Sequence, residues 1–360
     1  MPFQIIRNDI TKVKADAIVN TANPMPCIGS GTDSAVYAAA GEAQLLAERK
    51  KIGEIAPGEV ACTPAFRLQA QYILHTVGPV WMGGNRGERE ILRSCYAKSL
   101  ALAAQLKCES IAFPLIASGV YGFPKDEALN IALSEIGKFL LTGEMKVLLV
   151  VLDRRALELS ESLVGSIEQY IDEHEARSVR EAEYKGAGPQ ERRRLEAARR
   201  YNERKALSID GPGAEETAEE DVLFAAPMLK EDSLPVFAGK SLEDVLDKAG
   251  DSFRQKLFKL IDESGMDDVT VYKKANIDRK VFSSIRCKKK YKPKKETALA
   301  FAIALRLDMP ATLDLLSRAG FTFSPSDRFD LIVAYFITNG KYDIFEINAA
   351  LFRYGERILG

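Results

Sequence analysis

The 360-residue sequence lacks the features that would place it in a membrane or an oxidising compartment. No apolar run reaches the roughly 18 residues that a transmembrane helix needs. The opening segment, MPFQIIRNDI, shows no basic-then-apolar signal pattern. The five cysteines are scattered and none belongs to a CxxC pair, so neither a disulfide framework nor a zinc site is indicated. We therefore expect a cytoplasmic protein without a metal centre.

The chain also lacks a net charge that would identify a partner. Its formal charge is −1, but opposite blocks can cancel, so the total excludes nothing. A hydrophobic content of 46% and a charged content of 28% are typical of globular proteins. The length exceeds that of one ordinary domain, and we expect two domains with a connector.

Residues 1–173 alternate between short apolar runs and longer amphipathic stretches. The predicted strands are Phe3–Arg7, Ala17–Asn20, Glu59–Thr63, Tyr72–Val77, Ser110–Ile116 and Lys146–Asp153. The longer predicted helices are Glu88–Leu106, Lys125–Leu141 and Ala156–Ile171. Strands alternating with helices predict a layered α/β domain with a largely parallel sheet, whose ligands would bind at the carboxyl edge of the strands.

Two further segments follow. Residues 174–250 are charged, poor in large apolar side chains and interrupted by Gly and Pro, which predicts a largely disordered linker with a single helix over Gln190–Leu207. Residues 251–360 show the apolar periodicity of short helices and predict a small all-α domain. Its final stretch, Tyr335–Gly360, either completes the helical core or forms a dimer contact.

A glycine-bearing loop follows the second predicted strand. The segment NTANPMPCIGSGTDSAVYAAAG, residues 20–41, places Pro and Gly after an apolar run and just before a helical alanine run. Such a loop can direct several backbone N–H groups at one anion. It is also compatible with a plain strand-to-helix turn.

A second loop of the same kind lies in PLIASGVYGFPKDEAL, residues 114–129. Gly119 and Gly122 bracket Tyr121, and a helix follows. Two such loops at one sheet edge could hold a pyrophosphate from both sides. Tyr121 would then form an apolar wall for a sugar or base, whereas Phe123 is better explained as a core residue.

Five motifs in order resemble the macro domain family. They are NDIT (Asn8–Thr11), AIVNTAN (Ala17–Asn23), GSGTD (Gly29–Asp33), HTVGP (His75–Pro79) and SGVYGFP (Ser118–Pro124). The resemblance covers residues 1 to about 172. It implies a three-layer α/β fold with a mixed, largely parallel sheet. It also implies binding of ADP-ribose, and in hydrolytic branches removal of ADP-ribose from proteins or deacetylation of O-acetyl-ADP-ribose.

The same resemblance implies roles for individual residues. Asp9 would accept from the adenine amino group, with Ile10 alongside. Asn23 would hydrogen-bond the distal ribose, and Asp33 would orient or deprotonate a water without a metal or other cofactor. The remaining implied ligand-binding positions are Asn20, Cys27, Ile28, Gly29, Ser30, Gly31, Ser118, Gly119, Val120, Tyr121, Gly122 and Leu152.

The sequence departs from the hydrolytic pattern at several positions. Ile28 and Ser30 stand where those members have glycine, Tyr37 stands where they have histidine, and Leu152 stands where an aromatic side chain often stacks on adenine. These departures weigh more against catalysis than against binding. The apolar context of His75 predicts a buried structural histidine.

The C-terminal segment carries a looser resemblance to the helix-turn-helix of phage-repressor-type regulators. Between Arg254 and Arg306 there are 15 Lys and Arg residues against 6 Asp and Glu residues, an excess suited to phosphate contacts. The candidate base-reading residues are Arg279, Lys280, Ser283, Ser284 and Arg286. The alternative is a helical protein-interaction module whose lysines only solvate its surface.

Two functions remain open at this point. The chain is either an ADP-ribosyl or O-acetyl-ADP-ribose hydrolase, or a non-catalytic ADP-ribose sensor that acts on DNA or a protein partner through its helical domain. Asp33 favours the enzyme, whereas Tyr37, Ile28 and the basic helices favour the sensor.

Overall fold

The computed structural model describes residues 2–152, 159–186, 251–288 and 291–360. The first part is built on a six-stranded sheet with the order β1-β6-β5-β2-β4-β3. All neighbouring strands are parallel except β3 and β4. The strands are β1 (Phe3–Arg7), β2 (Ala17–Thr21), β3 (Val60–Pro64), β4 (Tyr72–Thr76), β5 (Ser110–Pro114) and β6 (Lys146–Val151). The mixed, mostly parallel α/β fold is therefore confirmed.

Helices cover both faces of the sheet, which gives three layers. A buried cluster on one face joins Ile18 and Val150 of the sheet to Val36 and Leu45 of the first two helices. On the other face, Tyr96 packs against Phe113. The helices are α1 (Thr32–Ala40), α2 (Glu42–Ile52), α3 (Glu88–Gln105), α4 (Lys125–Thr142) and α5 (Glu161–Gly186).

Two helices in this part extend beyond what the sequence predicted. Helix α2 was not predicted from the sequence, because its residues EAQLLAERKKI carry little apolar periodicity. Helix α5 continues to Gly186, so the segment expected to be a linker from residue 174 begins as helix. The helix predicted over Gln190–Leu207 lies outside the described residues.

Residues from Ser252 onward form short helices. They are α6 (Phe253–Ser264), α7 (Asp268–Lys274), α8 (Arg279–Cys287), α9 (Lys295–Ala304), α10 (Met309–Arg318), α11 (Arg328–Thr338) and α12 (Ile344–Tyr354). Most of these helices are preceded by a residue whose side chain accepts a hydrogen bond from a first-turn N–H group. These residues are Ser252, Asp267, Asp278, Asp308, Asp327 and Asp343. Helix α12 buries Ile347 and Leu351, so the final stretch completes the helical core. Among the described helices, none is long and apolar enough to cross a membrane.

The helical region packs against the sheet-containing region. The described residues up to Glu173 and from Ser252 onward group into one compact unit. Asn276, between α7 and α8, accepts from the backbone N–H of Phe3 at 2.9 Å and donates to its carbonyl at 3.1 Å. Phe345 of α12 packs edge-on against Phe3, with ring centroids 5.2 Å apart. Strand β1 lies at one edge of the sheet. The side-chain amide of Asn276 therefore forms, with the backbone of Phe3, the two hydrogen bonds that a neighbouring strand would otherwise form.

Candidate functional site

A cavity of about 630 Å³ opens at the carboxyl edge of the sheet. Its walls come from the segment after β1, the loop between β2 and α1, and the loop between β5 and α4. The strands β1, β2 and β5 are parallel members of one sheet, linked through β6, so the loops after them meet at one edge. The two glycine-bearing loops singled out in the sequence therefore face the same cavity.

The β2–α1 loop needs glycine at two positions. A side chain at Gly29 would begin 2.6 Å from Asn23 Nδ2 and 3.1 Å from Asp33 Oδ2, too close for either atom to remain where it is. Gly31 has φ +65° and ψ −126° and precedes the first turn of α1, a conformation that is essentially restricted to glycine. These two residues let the backbone turn tightly around Asn23 and Asp33.

Asp33 is held at the floor of the cavity by two short hydrogen bonds. The Gly29 backbone N–H donates to its Oδ2 at 2.6 Å, and Asn20 Nδ2 donates to its Oδ1 at 2.6 Å. Burial raises the pKa of the Asp33 carboxyl above its ordinary value, and these two donors oppose the increase. Asp33 lines the cavity although only 2% of its surface is exposed.

A buried arginine supports the loop from below. Arg49 of α2 donates through Nη2 to the carbonyls of Asn23 at 3.1 Å and Pro24 at 3.0 Å, and through Nη1 to the carbonyl of Gly53. It is 1% exposed. Its guanidinium ties the turn before the glycines to the end of α2 and keeps a positive charge near Asp33.

The β5–α4 loop is also tightly bonded within itself. Gly122 has φ +66° and its N–H donates to the Gly119 carbonyl at 3.0 Å. The Ser118 hydroxyl donates to the Leu115 carbonyl at 2.9 Å. An ideal Cβ on Gly119 would meet nothing within 4 Å, so the cavity beside this residue is open. Tyr121 lines the cavity, whereas Phe123 is buried against Trp81.

The family model described as "Macro domain" matches residues 19–132. A macro domain-containing protein of Methanosarcina mazei is 49% identical over 143 residues, which are 40% of this chain and 76% of that protein. The chain belongs to the macro domain family.

A curated relative and a solved structure are also similar to this chain. A protein of Klebsiella pneumoniae named O-acetyl-ADP-ribose deacetylase is 42% identical to this macro domain protein over 168 residues, covering 45% of this chain and 96% of that one. A solved Oceanobacillus iheyensis macrodomain with ADP is 37% identical and has a TM-score of 0.42, with coverage of 43% of this chain and 85% of that one.

Most residues singled out in the sequence surround the cavity of the macro domain. Those that line it are Asp9, Ile10, Asn23, Gly29, Ser30, Gly31, Asp33, Gly119, Val120, Tyr121 and Leu152. Val120 and Leu152 are 80% and 74% exposed, so both can cover apolar parts of a ligand. Asp9 accepts from the backbone and hydroxyl of Thr11 through Oδ1, and the Thr11 hydroxyl contributes most to lowering its pKa.

Five of the residues expected to bind the ligand do not line the cavity, namely Asn20, Cys27, Ile28, Ser118 and Gly122. Asn20 is completely buried beneath Asp33, so its side chain meets Asp33 rather than open space. Cys27 and Ile28 are exposed. The hydroxyl of Ser118 and the N–H of Gly122 are engaged within their own loop.

The sequence did not point to Arg49, to Thr63 or to the contact of Asn20 with Asp33. Arg49 lies in RKK at the end of α2, where nothing distinguishes it from two exposed lysines. His75 is completely buried, as its apolar strand predicts, and burial lowers its pKa to about 3. Tyr37 is also buried, and burial raises its pKa to about 12. Both side chains are neutral at physiological pH.

The DNA-reading candidates lie on α8 of the helical region. Arg279, Lys280, Ser283 and Arg286 are exposed, and Ser284 is half-buried. Arg286 forms an ion pair with Asp268 of α7, and its carbonyl accepts from Arg254. Arg286 is therefore already bonded within the protein, whereas the side chain of Lys280 extends from the first turn of α8.

Proposed function

We propose that the macro domain binds ADP-ribose and hydrolyses an ADP-ribosyl or O-acetyl-ADP-ribose linkage. One observation carries the proposal: the Asp33 carboxylate lies at the floor of a cavity of about 630 Å³, fixed between two N–H donors and flanked by two glycine loops. The name of the Klebsiella pneumoniae relative supports the same chemistry.

The ligand would lie across the cavity from Asp9 to Asp33. Asp9 would accept from the adenine amino group, and the backbone amides of the two loops would hold the pyrophosphate. Asn23 would hydrogen-bond the distal ribose, because an amide both donates and accepts. The reacting carbon would then lie above Asp33.

Asp33 would act as a general base. It would take a proton from a water molecule as the oxygen of that water attacks the ester carbonyl of an acetyl group or the anomeric carbon of an ADP-ribosyl linkage. The departing alcohol or side-chain group would leave with the bond electrons and gain a proton. Arg49 would keep Asn23 and the loop in place during this step.

Binding is tested by calorimetry with ADP-ribose on Gly119→Glu. The new side chain has open space at its first carbon and would bring a carboxylate to the pyrophosphate. Gly165→Glu is the matched control, because an ideal Cβ at Gly165 of α5 also meets nothing within 4 Å. Loss of binding in the first variant alone supports the proposal, and equal affinity in both places the pyrophosphate elsewhere.

Hydrolysis is tested with Asp33→Ala on O-acetyl-ADP-ribose and on mono-ADP-ribosylated protein. We expect turnover to fall by roughly 10²–10⁴-fold, the usual contribution of one acid–base group, with ADP-ribose affinity retained within a few-fold. If the wild-type protein binds ADP-ribose but releases no product from either substrate, the domain is a sensor.

We propose a second, separable function for the helical region, which is binding to DNA. Helices α7 and α8 are joined by a tight turn over 275–278, with Phe282 and Ile285 of α8 facing inward and Lys280 and Ser283 facing outward. This arrangement resembles a helix-turn-helix whose second helix could enter the major groove. The alternative, a protein-interaction surface, is the outcome if DNA does not bind.

A further inference from the structure

Three neighbouring strands place a buried polar row beneath Asp33. Asn20 of β2 lies opposite His75 of β4 in the parallel pairing, and Ala61 of β3 lies opposite His75 in the antiparallel pairing. Thr63, two residues after Ala61, is therefore a diagonal neighbour of His75 on the same face. Asn20, His75 and Thr63 are 0%, 0% and 2% exposed.

A donor and an acceptor can be assigned to each hydrogen bond along this row. Asn20 Nδ2 donates one proton to Asp33 Oδ1 at 2.6 Å and directs the other toward His75 Nδ1 at 3.2 Å. The reverse orientation of the amide would bring its oxygen against the carboxylate, so the nitrogen must face Asp33. His75 Nδ1 is then the acceptor.

The tautomer of His75 follows from that direction. A neutral imidazole that accepts at Nδ1 carries its proton on Nε2. His75 Nε2 lies 2.9 Å from Thr63 Oγ1, which accepts this proton. The row therefore runs from Thr63 through His75 and Asn20 to the carboxylate.

We propose that Thr63 and His75 are positioning residues, which hold the Asn20 amide in the orientation that aims Asp33 into the cavity. The inference rests on the proposed hydrolytic function of Asp33. Satisfying buried polar groups does not by itself explain the row. Asn20 gives one amide proton to Asp33 and the other to His75. Its own Oδ1 accepts from no group in the described part of the chain.

Variants of Thr63 test the row with little change in volume. Thr63→Val removes the acceptor for His75 Nε2–H, and Thr63→Ser retains it. The valine variant leaves that proton unpaired, so His75 should populate the opposite tautomer, whose Nδ1–H would oppose the Asn20 amide. Asn20 should then hold Asp33 less firmly.

The first readout is nitrogen NMR of the two ring nitrogens of His75. The chain has two histidines, and His174→Gln identifies the signals of His75. We expect the Nε2–H tautomer in the wild type and Thr63→Ser, and a tautomer mixture in Thr63→Val. An Nδ1–H tautomer or an imidazolium in the wild-type protein at neutral pH would overturn the inference without any variant.

The second readout is the carboxyl titration of Asp33 by carbon NMR, combined with kinetics. In Thr63→Val the Asp33 titration should move to higher pH, and kcat should fall about fivefold with KM unchanged, which corresponds to a loss of about one hydrogen bond. Thr63→Ser should match the wild type in both. Unchanged tautomer and unchanged Asp33 titration in Thr63→Val would overturn the inference.

The two proposals fail in distinguishable ways. If the wild type hydrolyses neither substrate, the hydrolase proposal fails, and the inferred effect on turnover fails with it. The two NMR measurements still decide whether Thr63 and His75 hold the orientation of the Asn20 amide and of the Asp33 carboxyl.

Discussion

At the scale of single residues, the chemistry of this macro domain depends on opposed influences on one carboxyl group. Burial favours the protonated form of Asp33, whereas Gly29 N–H, Asn20 and the charge of Arg49 favour the carboxylate. The net effect is a raised pKa, so the Asp33 carboxylate holds a proton more strongly than the carboxylate of an exposed aspartate does. Its neighbours His75 and Tyr37 remain neutral.

The pH dependence of the proposed hydrolysis follows from this shift. Asp33 must be ionised to accept a proton, so kcat/KM should fall as the pH drops through the raised pKa of Asp33 in the free protein and should level off above it. The midpoint should lie above the ordinary aspartate value of 3.8. A pH–rate profile, with circular dichroism to confirm that the fold persists, measures it. A kcat/KM that holds constant down to pH 4 would contradict this role.

The hydrogen bonds of Arg49 should stabilise both the fold and the binding site. Replacing it by Met removes the donor for three carbonyls, and we expect the free energy of unfolding to fall by about 3 kcal/mol. ADP-ribose affinity should fall too, because Asn23 loses its support. Urea unfolding and calorimetry measure these effects.

Lys51→Met is the matched control for Arg49→Met, because Lys51 lies on the same helix and its side chain is 69% exposed. It should change stability by less than about 0.5 kcal/mol. If Arg49→Met changed the free energy of unfolding by as little, the loop between β2 and α1 would not depend on Arg49 for its conformation.

The site residues that could be predicted from the sequence are those that lie within its short motifs. Asp33, Asn23 and both glycine loops occur in short distinctive segments, and the structure brings them to one cavity. Arg49 and the row beneath Asp33 could not be predicted, because their roles depend on which residues lie opposite one another across α2, β2, β4 and β3. Register and long-range hydrogen bonds leave no local pattern.

At the scale of elements, strand β1 connects the cavity to the helical region. Its end leads into Asp9 at the cavity, and its start is held by Asn276. Asn276 has φ +53° and is completely buried, a left-handed conformation that asparagine tolerates better than most residues. The strands were predicted to within two residues of their observed bounds, because apolar runs mark them clearly, but nothing in the sequence paired Asn276 with Phe3.

Variants of Asn276 should separate its hydrogen bonds from its conformation. Asn276→Gly keeps the left-handed backbone and loses both bonds to Phe3, so we expect a loss of about 2 kcal/mol in unfolding free energy. Asn276→Ala should lose about 1 kcal/mol more, the cost of the left-handed conformation. Asn276→Asp should also be destabilised, since a carboxylate would face the Phe3 carbonyl.

Urea unfolding of the full chain measures all three Asn276 variants. A glycine variant within about 0.5 kcal/mol of the wild type would show that the amide does not secure the sheet edge.

At the scale of the whole molecule, the helical region and the macro domain share a packed boundary. Gly137 of α4 lies against Phe345, because a Cβ there would come within 3.0 Å of the ring. Tyr272 and Lys273 of α7 contact Glu144 and the Leu141 carbonyl. Helix α4 begins beside the Gly122 loop and ends at this boundary, so one helix spans from the cavity to α7. The face of α8 that carries Lys280 and Ser283 remains exposed.

If that face binds DNA, affinity must fall steeply with salt, because phosphate contacts release condensed counterions. Lys288 directly follows the last residue of α8 and is also exposed. The paired change Lys280→Ala and Lys288→Ala should weaken binding to random duplex and flatten the salt slope by about two, roughly one for each phosphate contact. Lys50→Ala with Lys51→Ala removes the same charge from α2 and should leave the slope unchanged. Gel-shift titrations at low and moderate salt measure it. Absence of binding at low salt, where electrostatic attraction is strongest, would make α8 a surface for a protein partner instead.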